Sequence, residues 1–170
     1  MFNILSRMIR TGILTEPLPA VVEGPPAVDA LQRGLWKVLG RALCIRHVDA
    51  GSCNGCELEI QALNNPYYNL EGAGIKFVAS PRHADLLLVT GPVSVNMEEA
   101  LRRTYDAMPN PKLVVAVGDC AACGGFFVRS YATRGSIANV IPVNHAIAGC
   151  PPSPAALLGG ILQALSSVAR

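Results

Sequence analysis

Four cysteines that follow predicted buried strands are the residues of this chain whose type and spacing best suit chemistry. Each lies in a turn that carries glycine or proline. The four are Cys53 and Cys56 in GSCNGCE, Cys120 in GDC and Cys150 in GCPP. Four converging thiolates can bind an iron–sulfur cluster or a zinc ion, and four cysteines can also form two disulfides.

The spacing of the cysteines leaves several alternatives open. Cys53 and Cys56 form one C-x-x-C pair, Cys120 and Cys123 form another, and two such pairs are the usual halves of a structural zinc site. These pairs lie much farther apart than the roughly 15–20 residues that separate the halves of a compact zinc ribbon. Either pair is also a candidate redox dithiol. A four-iron cluster needs four thiolates around a compact cube, and the small residues of the first turn would let backbone N–H groups approach its sulfurs.

The composition is that of one globular domain with few charges. The chain has 170 residues, of which 51% are hydrophobic and 15% are charged, and its formal net charge is +2. So few charges predict a surface partly covered by partner proteins, although a sheet buried on both faces would account for the same composition. The net charge is too small to indicate nucleic-acid binding.

The cysteine content and the start of the chain predict a cytosolic protein. The first residues lack the apolar core of a signal peptide, and no segment approaches the ~18 apolar residues of a membrane span. Structural disulfides are uncommon in the cytosol. Six cysteines in such a protein indicate metal or redox chemistry.

Alternating strands and helices predict the α/β fold class. Predicted strands cover residues 43–48, 75–79, 85–90, 112–117 and 140–143. Predicted helices cover residues 28–40, 57–63, 96–108 and 154–168, the last with Ser153 as its cap. This alternation predicts a doubly wound parallel sheet. Because the carboxyl ends of parallel strands meet at one edge, we expect the four cysteines to converge there.

Residues 1–40 are predicted to lie outside the sheet domain, which we assign to residues 41–170. The first part is expected to be an irregular, proline-containing arm in which Phe2, Leu5 and Ile9 can share one helical face, and a lead-in helix follows it. The apolar side chains indicate docking on a partner or at a membrane surface. A frayed terminus is the alternative.

Several motifs, in order along the chain, give it a family resemblance. They are DAGSCNGCELE (49–59), SPRHAD (80–85), VTGPV (89–93), GDCA (118–121) with Gly124 and Gly125, and GCPPSP (149–154). With these motifs the chain resembles the small electron-transferring subunit shared by membrane-bound [NiFe]-hydrogenases and respiratory complex I. The resemblance implies a flavodoxin-like fold and one [4Fe–4S] cluster held by Cys53, Cys56, Cys120 and Cys150. It places Cys123 outside the ligand set and so disfavours zinc.

The first motif is more similar to the hydrogenase branch than to complex I. The complex I form carries two adjacent cysteines there, whereas two residues separate Cys53 and Cys56. The short form of the chain is similar to energy-converting, complex-I-related hydrogenases. The resemblance implies a non-catalytic redox subunit of an oxidoreductase complex. It would relay electrons between a ferredoxin-like multi-cluster subunit and a [NiFe] large subunit.

The same resemblance implies a location and leaves two alternative functions. The expected location is peripheral, on the cytoplasmic side of the inner membrane and next to integral membrane subunits. One alternative is the cluster subunit of an NADH:quinone oxidoreductase that reduces quinone. The other is a zinc-stapled α/β binding module without a redox role.

Four further residues have candidate roles. Glu57 is a candidate for proton relay or for tuning the cluster, and favourable placement in the first turn of a helix is the alternative. His83 is a candidate for a hydrogen bond near the cluster or a contact with the large subunit, or it ties down a turn. Cys44 is expected to be a small apolar residue in a buried strand. Cys123 is a packing residue, a spare thiol or a ligand.

Overall fold

The computed structural model of the chain describes residues 2–12, 33 and 40–168. Within these residues, strands and helices alternate along the chain. The strands are β1 (Leu43–Asp49), β2 (Ile75–Phe77), β3 (Leu86–Thr90), β4 (Val93–Ser94), β5 (Leu113–Val117), β6 (Thr133–Gly135) and β7 (His145–Ile147). The helices are α1 (Phe2–Thr11), α2 (Gly55–Ala62), α3 (Val95–Ala107), α4 (Asp119–Cys123) and α5 (Pro154–Val168), with 3₁₀ turns at Pro81–His83 and Ile137–Asn139.

Five strands form one parallel sheet in the order β2–β1–β3–β5–β7. Counted within this sheet the order is 2-1-3-4-5, which is the order of flavodoxin-like doubly wound folds. The pairing of β1 with β3 runs from Ile45 beside Leu86 to Asp49 beside Thr90. The predicted fold class is therefore confirmed, and the strand order reverses between β1 and β3.

Two apolar cores cover the two faces of this sheet. Side chains alternate between the faces along each strand. Leu86 and Leu88 of β3 pack in the core that α2 and α5 cover, whereas Leu87 and Val89 pack in the core on the side of α3 and α4. All residues of β3 and β5 are buried, as expected for a parallel sheet with helices on both faces.

The helices follow the predictions with local differences. Helix α5 spans the predicted residues, and Ser153 Oγ accepts a hydrogen bond from Ala156 N–H at 3.3 Å, as expected of a cap. Helix α2 begins at Gly55 and therefore includes Cys56 in its first turn. The start of the arm is helix α1 rather than irregular chain. Most of the predicted helix over residues 28–40 lies outside the described residues.

The predicted strand over residues 140–143 is wrong, because this segment forms a turn and the last strand is β7. A 3₁₀ turn over Ile137–Asn139 leads into the segment. Pro142 has no N–H group to donate to a neighbouring strand. The Asn144 side chain accepts a hydrogen bond from Val114 N–H at 2.8 Å, and pairing with β5 begins only after it.

Two features lie beside the main sheet. Strands β4 and β6 form a two-stranded antiparallel sheet that the sequence patterns did not predict. Helix α1 presents Ile4, Leu5 and Ile9 at its surface, where their exposed fractions are 66%, 54% and 82%. Across the part of the chain that the structure describes, no helix has the length and apolar character to span a membrane.

Candidate metal centre

One pocket at the carboxyl edge of the main sheet brings together the four cysteines predicted as ligands. It is lined by Cys53, Cys56, Cys120 and Cys150. These residues follow β1, β5 and β7, and Gly91 after β3 contributes to the same wall. All six cysteines of the chain are free thiols.

The turn that carries the first two cysteines is shaped by Asp49 at the end of β1. Its Oδ1 accepts hydrogen bonds from the N–H groups of Gly51 and Ser52, both at 2.8 Å. Behind this turn, a Cβ on Gly91 would lie 2.5 Å from Ser52 N, so glycine is required there. Helix α2 starts directly after the turn, which sets both cysteines against the pocket.

Glycines leave room around the sulfur atoms of the pocket. A Cβ on Gly118 would lie 2.8 Å from Cys56 Sγ, and a Cβ on Gly125 would lie 3.1 Å from Cys120 Sγ. Both glycines have positive φ, at 85° and 51°. They form a cradle that side chains would fill. Four free thiols around such a cradle fit the ligand set of a [4Fe–4S] cluster.

Burial and mutual repulsion raise the pKa of two of these thiols, Cys56 and Cys120. Burial, followed by the charges of Glu57 and of the other thiols of the pocket, raises the pKa of Cys56 to about 12. Burial also raises the pKa of Cys120, and the nearby Cys150 and Cys53 act in the same direction. A bound metal centre reverses this balance, because its positive charge stabilises thiolates and releases their protons.

Glu57 is a buried acid beside the pocket. Only 8% of its surface is exposed, and neither carboxylate oxygen has a hydrogen-bond partner among the described residues. His47 Nε2 lies 3.9 Å from Glu57 Oε1 and 3.1 Å from Thr90 Oγ1. Burial lowers the pKa of His47, whereas the charge of Glu57 acts in the opposite direction. Burial of an ionised carboxylate with so few polar partners carries a large desolvation free energy.

The other predicted candidates lie away from the pocket. Cys123 is exposed, and its thiol donates to Asp119 O in its own helix at 3.2 Å. Cys44 is buried in β1, as expected of a small apolar residue. His83 is exposed in the 3₁₀ turn that precedes β3, so it lies towards the amino edge of the sheet, opposite the cysteines. The structure therefore does not bring His83 to the site.

Two polar residues near the site escaped sequence reasoning. Asp119 Oδ1 accepts a hydrogen bond from Gly149 N–H at 2.9 Å and so joins two cysteine turns. His47 contacts Glu57. The signal for Asp119 was its place directly before a cysteine, whereas no local pattern indicates a contact between β1 and α2.

A flavodoxin-like sheet with a thiol-lined pocket at its carboxyl edge defines a class of α/β subunits suited to hold a redox cofactor. Residues 53–164 match the family described as NADH ubiquinone oxidoreductase, 20 Kd subunit. The chain belongs to this family and is a redox subunit of an oxidoreductase complex.

Among the described residues, no group of three or more Cys, His, Asp or Glu side chains has the geometry to hold a single metal ion.

Several relatives share most of the chain. A probable membrane-bound hydrogenase subunit of Pyrococcus furiosus is 45% identical over 80% of this chain and 81% of its own length. Formate hydrogenlyase subunit 7 of Escherichia coli is 39% identical over 97% of this chain and 63% of its own length. A subunit of the NADH-quinone oxidoreductase of Herpetosiphon aurantiacus is 39% identical over 94% of this chain and 80% of its own length.

Solved structures share the fold. A chain of the membrane-bound sulfane sulfur reductase, an archaeal respiratory membrane complex, matches with a TM-score of 0.67 and 32% identity over 82% of this chain and 76% of that chain. A chain of an NAD⁺-reducing [NiFe]-hydrogenase matches with a TM-score of 0.58 and 20% identity over 75% of this chain and 93% of that chain. The second likeness shows the fold alone.

Proposed function

We propose that the chain is an electron-transfer subunit that carries one [4Fe–4S] cluster on Cys53, Cys56, Cys120 and Cys150. The observation that carries this proposal is that these free thiols, from three separate turns, line one pocket. When bound, the cluster supplies one-electron redox chemistry. The chain itself holds the cluster, limits its contact with water and sets its reduction potential, and it has no catalytic residue of its own.

Glu57 is proposed to tune the cluster through its charge. It follows Cys56 directly, and its carboxylate contributes to the raised pKa of that thiol. The same negative charge opposes the addition of an electron to the cluster and so lowers the reduction potential. In a proton-relay role, His47 would be the next group along, since its Nε2 lies 3.9 Å from Glu57 Oε1.

The loop over residues 124–133 is proposed to contact a partner subunit. Its most exposed apolar side chains are Phe126, Phe127, Val128 and Tyr131, with exposed fractions of 95%, 51%, 68% and 98%. The end of the loop is held in place, because Arg134 Nε donates to Glu98 Oε2 of α3 at 2.6 Å. We assign this surface to a [NiFe]-hydrogenase-like large subunit. The cluster would pass electrons between that subunit and a ferredoxin-like multi-cluster subunit.

Residues 1–40 are proposed to dock on the membrane subunits of the complex, with residues 41–170 on the cytoplasmic side of the inner membrane. Helix α1 combines exposed apolar residues such as Ile4 and Ile9 with Arg10 in its last turn and no acid in its first turn. Basic amphipathic helices suit such a surface. The similarity to a probable membrane-bound hydrogenase subunit of Pyrococcus furiosus supports this location.

The second candidate function is the cluster subunit of an NADH:quinone oxidoreductase that reduces quinone. The 39% identity to a NADH-quinone oxidoreductase subunit favours it. Two residues separate Cys53 from Cys56, whereas the complex I form of the motif carries two adjacent cysteines. The spacing in this chain therefore favours the hydrogenase branch. Hydrogen turnover by the purified complex, compared with quinone reduction, separates the two.

Metal and sulfide analysis with EPR spectroscopy tests the proposed cluster and its ligands. The anaerobically purified, dithionite-reduced chain should contain about four irons and four sulfides and give a reduced-cluster signal. We expect Cys150→Ser to alter that signal or to lower the iron content. Cys123→Ser is the matched control and should leave both unchanged. Zinc without sulfide would contradict the proposal and would support a zinc-stapled module.

A further inference from the structure

Two hydrogen bonds of Asp119 join the turns that carry Cys120 and Cys150. The N–H group of Gly149 donates to Asp119 Oδ1 at 2.9 Å, and the N–H group of Asp119 donates to Gly149 O, also at 2.9 Å. These bonds continue the contact between the two chain segments beyond the ends of β5 and β7. We propose that Asp119 is the positioning residue that holds Cys150 against Cys120 for cluster binding.

The Cys150 turn is packed at Pro152, which is buried, but it has few backbone hydrogen bonds to fix it. Pro151 and Pro152 have no N–H group, so Gly149 and Cys150 provide the only backbone donors between residues 149 and 152. One of these two donors goes to Asp119. Cys150 itself is exposed, so packing restrains it little. The position of its sulfur atom therefore depends strongly on the hydrogen bonds of the preceding glycine.

The local backbone explains why the bond falls at Gly149. This residue has a φ of +135°, and a Cβ there would lie 2.7 Å from Pro152 Cα. The turn is thus folded tightly on itself, and its N–H group points outward to the neighbouring turn. A carboxylate oxygen is the stronger type of acceptor for such a group, because hydrogen bonds to charged acceptors exceed those to neutral ones.

The negative charge of Asp119 opposes ionisation of the nearby thiols, whereas its hydrogen bonds hold the two cysteine turns together. Burial first, then Cys150 and Cys53, and then the Asp119 carboxylate raise the pKa of Cys120. An additional negative charge beside four thiolates disfavours their ionisation. If Asp119 acts through its charge, its removal should favour cluster binding. If Asp119 acts by holding the Cys150 turn in position, loss of its hydrogen bond should weaken cluster binding. Substitution of Asp119 therefore separates the two roles.

The inference rests on the proposed cluster, but the hydrogen bond between Asp119 and Gly149 can be measured without reference to iron. The full chain, purified anaerobically, is compared with Asp119→Ala and Asp119→Asn. Asparagine keeps an Oδ1 acceptor and removes the charge, whereas alanine removes both. Asp106→Ala, at an exposed aspartate of α3, is the matched control.

Three quantities are measured: hydrogen–deuterium exchange of the Gly149 amide, iron content per chain and midpoint potential. We expect Asp119→Ala to speed the exchange by about tenfold or more and to lower the iron content, because a hydrogen bond to a charged group is lost. Asp119→Asn should keep slow exchange and the parent's iron content while raising the midpoint potential. Asp106→Ala should match the parent in all three quantities.

Slow exchange and full iron content in Asp119→Ala would overturn the proposal. Iron loss in Asp119→Asn despite slow exchange would also overturn it, since the retained hydrogen bond would then not be enough to hold the cysteines for cluster binding. If Asp119→Ala does not accumulate, Asp119→Asn decides through the same measurements. A parent chain without iron and sulfide would contradict the proposed function, whereas faster Gly149 exchange in Asp119→Ala would still support the link between the two turns.

Discussion

The residues Cys56 and Glu57 are adjacent at the edge of the sheet, where Cys56 is partly buried and Glu57 is buried. Neither has the compensation that buried charge needs. The pKa of Cys56 is raised to about 12, and the oxygens of Glu57 lack hydrogen-bond partners among the described residues. The proposed metal centre would supply positive charge to this region, and thiol protons would leave as it binds. Cluster assembly should therefore become easier as the pH rises.

At the same scale, we expect His47→Gln to reduce the dependence of stability on pH. Burial lowers the pKa of His47 below its ordinary value of 6.5, so on acidification the unfolded chain takes up a proton before the folded chain does. The free energy of unfolding therefore falls as the pH is lowered through about 6.5, until the folded-state pKa is passed. Thermal unfolding at about pH 7.5 and about pH 5.5 should show a smaller fall in Tm for the variant.

Glutamine is a suitable replacement because it can still exchange a hydrogen bond with Thr90 Oγ1, which lies 3.1 Å from His47 Nε2. The same substitution at the exposed His83 is the control. An equal fall in Tm for the parent and for His47→Gln would show that the burial of this imidazole does not contribute to acid sensitivity.

At the scale of elements, local sequence signals determine the bounds of α5, whereas tertiary contacts determine those of β7. Helix α5 has the predicted bounds because proline at its first position and a serine cap are local signals. Strand β7 differs from its prediction because pairing with β5 is set by Asn144 and by the turn before it. The apolar residues Val140 and Ile141 are buried in a core without joining the sheet.

Two adjacent glycines in α5 should respond to alanine with opposite signs. A Cβ on Gly159 would meet no atom within 4 Å, so Gly159→Ala should stabilise the chain by about 0.4–1 kcal/mol through the lower entropy of the unfolded state. A Cβ on Gly160 would lie 2.5 Å from Ile147 Cγ1 in β7, so Gly160→Ala should cost about 1–3 kcal/mol. Tm values of the cluster-loaded chain give the comparison.

Each glycine variant is the control for the other, since both add one methyl group to the same helix. Destabilisation by Gly159→Ala would show that the outer face of α5 is covered in the intact chain. An unchanged Tm for Gly160→Ala would show that Ile147 moves aside without cost.

At the scale of the whole molecule, the parallel sheet gathers three turns from distant parts of the chain into one pocket. The same edge leads into the apolar loop over residues 124–133, which follows α4 and Cys123. Exposed aromatic side chains beside the thiol-lined pocket suit a surface that a partner covers. The low share of charged residues, 15%, agrees with a subunit that is enclosed by others.

We expect the double substitution Phe126→Ser and Tyr131→Ser to weaken binding of the large subunit while leaving the cluster intact. These side chains are 95% and 98% exposed in the isolated chain, and buried aromatic anchors typically contribute about 2 kcal/mol or more, which is roughly thirtyfold in Kd. Co-purification with the large subunit and iron content per chain are the two measurements.

Tyr67→Ser is the matched control, because Tyr67 is also an exposed aromatic residue, at 63%, but lies outside this loop. Equal recovery of the large subunit from the double variant and from the control would contradict the assignment of the loop to this interface. Loss of iron from the double variant would show that the loop supports the cluster rather than the partner contact.

Sequence reasoning reached the α/β class, the buried strands, helix α5 and the cysteine turns, because these depend on periodicity and turn chemistry within short segments. Leu86, Leu87 and Leu88, for example, belong to a short apolar run that favours a strand buried on both faces. The contact of His47 with Glu57, the link from Asp119 to Gly149 and the register of β7 required the tertiary structure. Each joins residues of different elements, and their meeting depends on how those elements pack and pair, which no local pattern encodes.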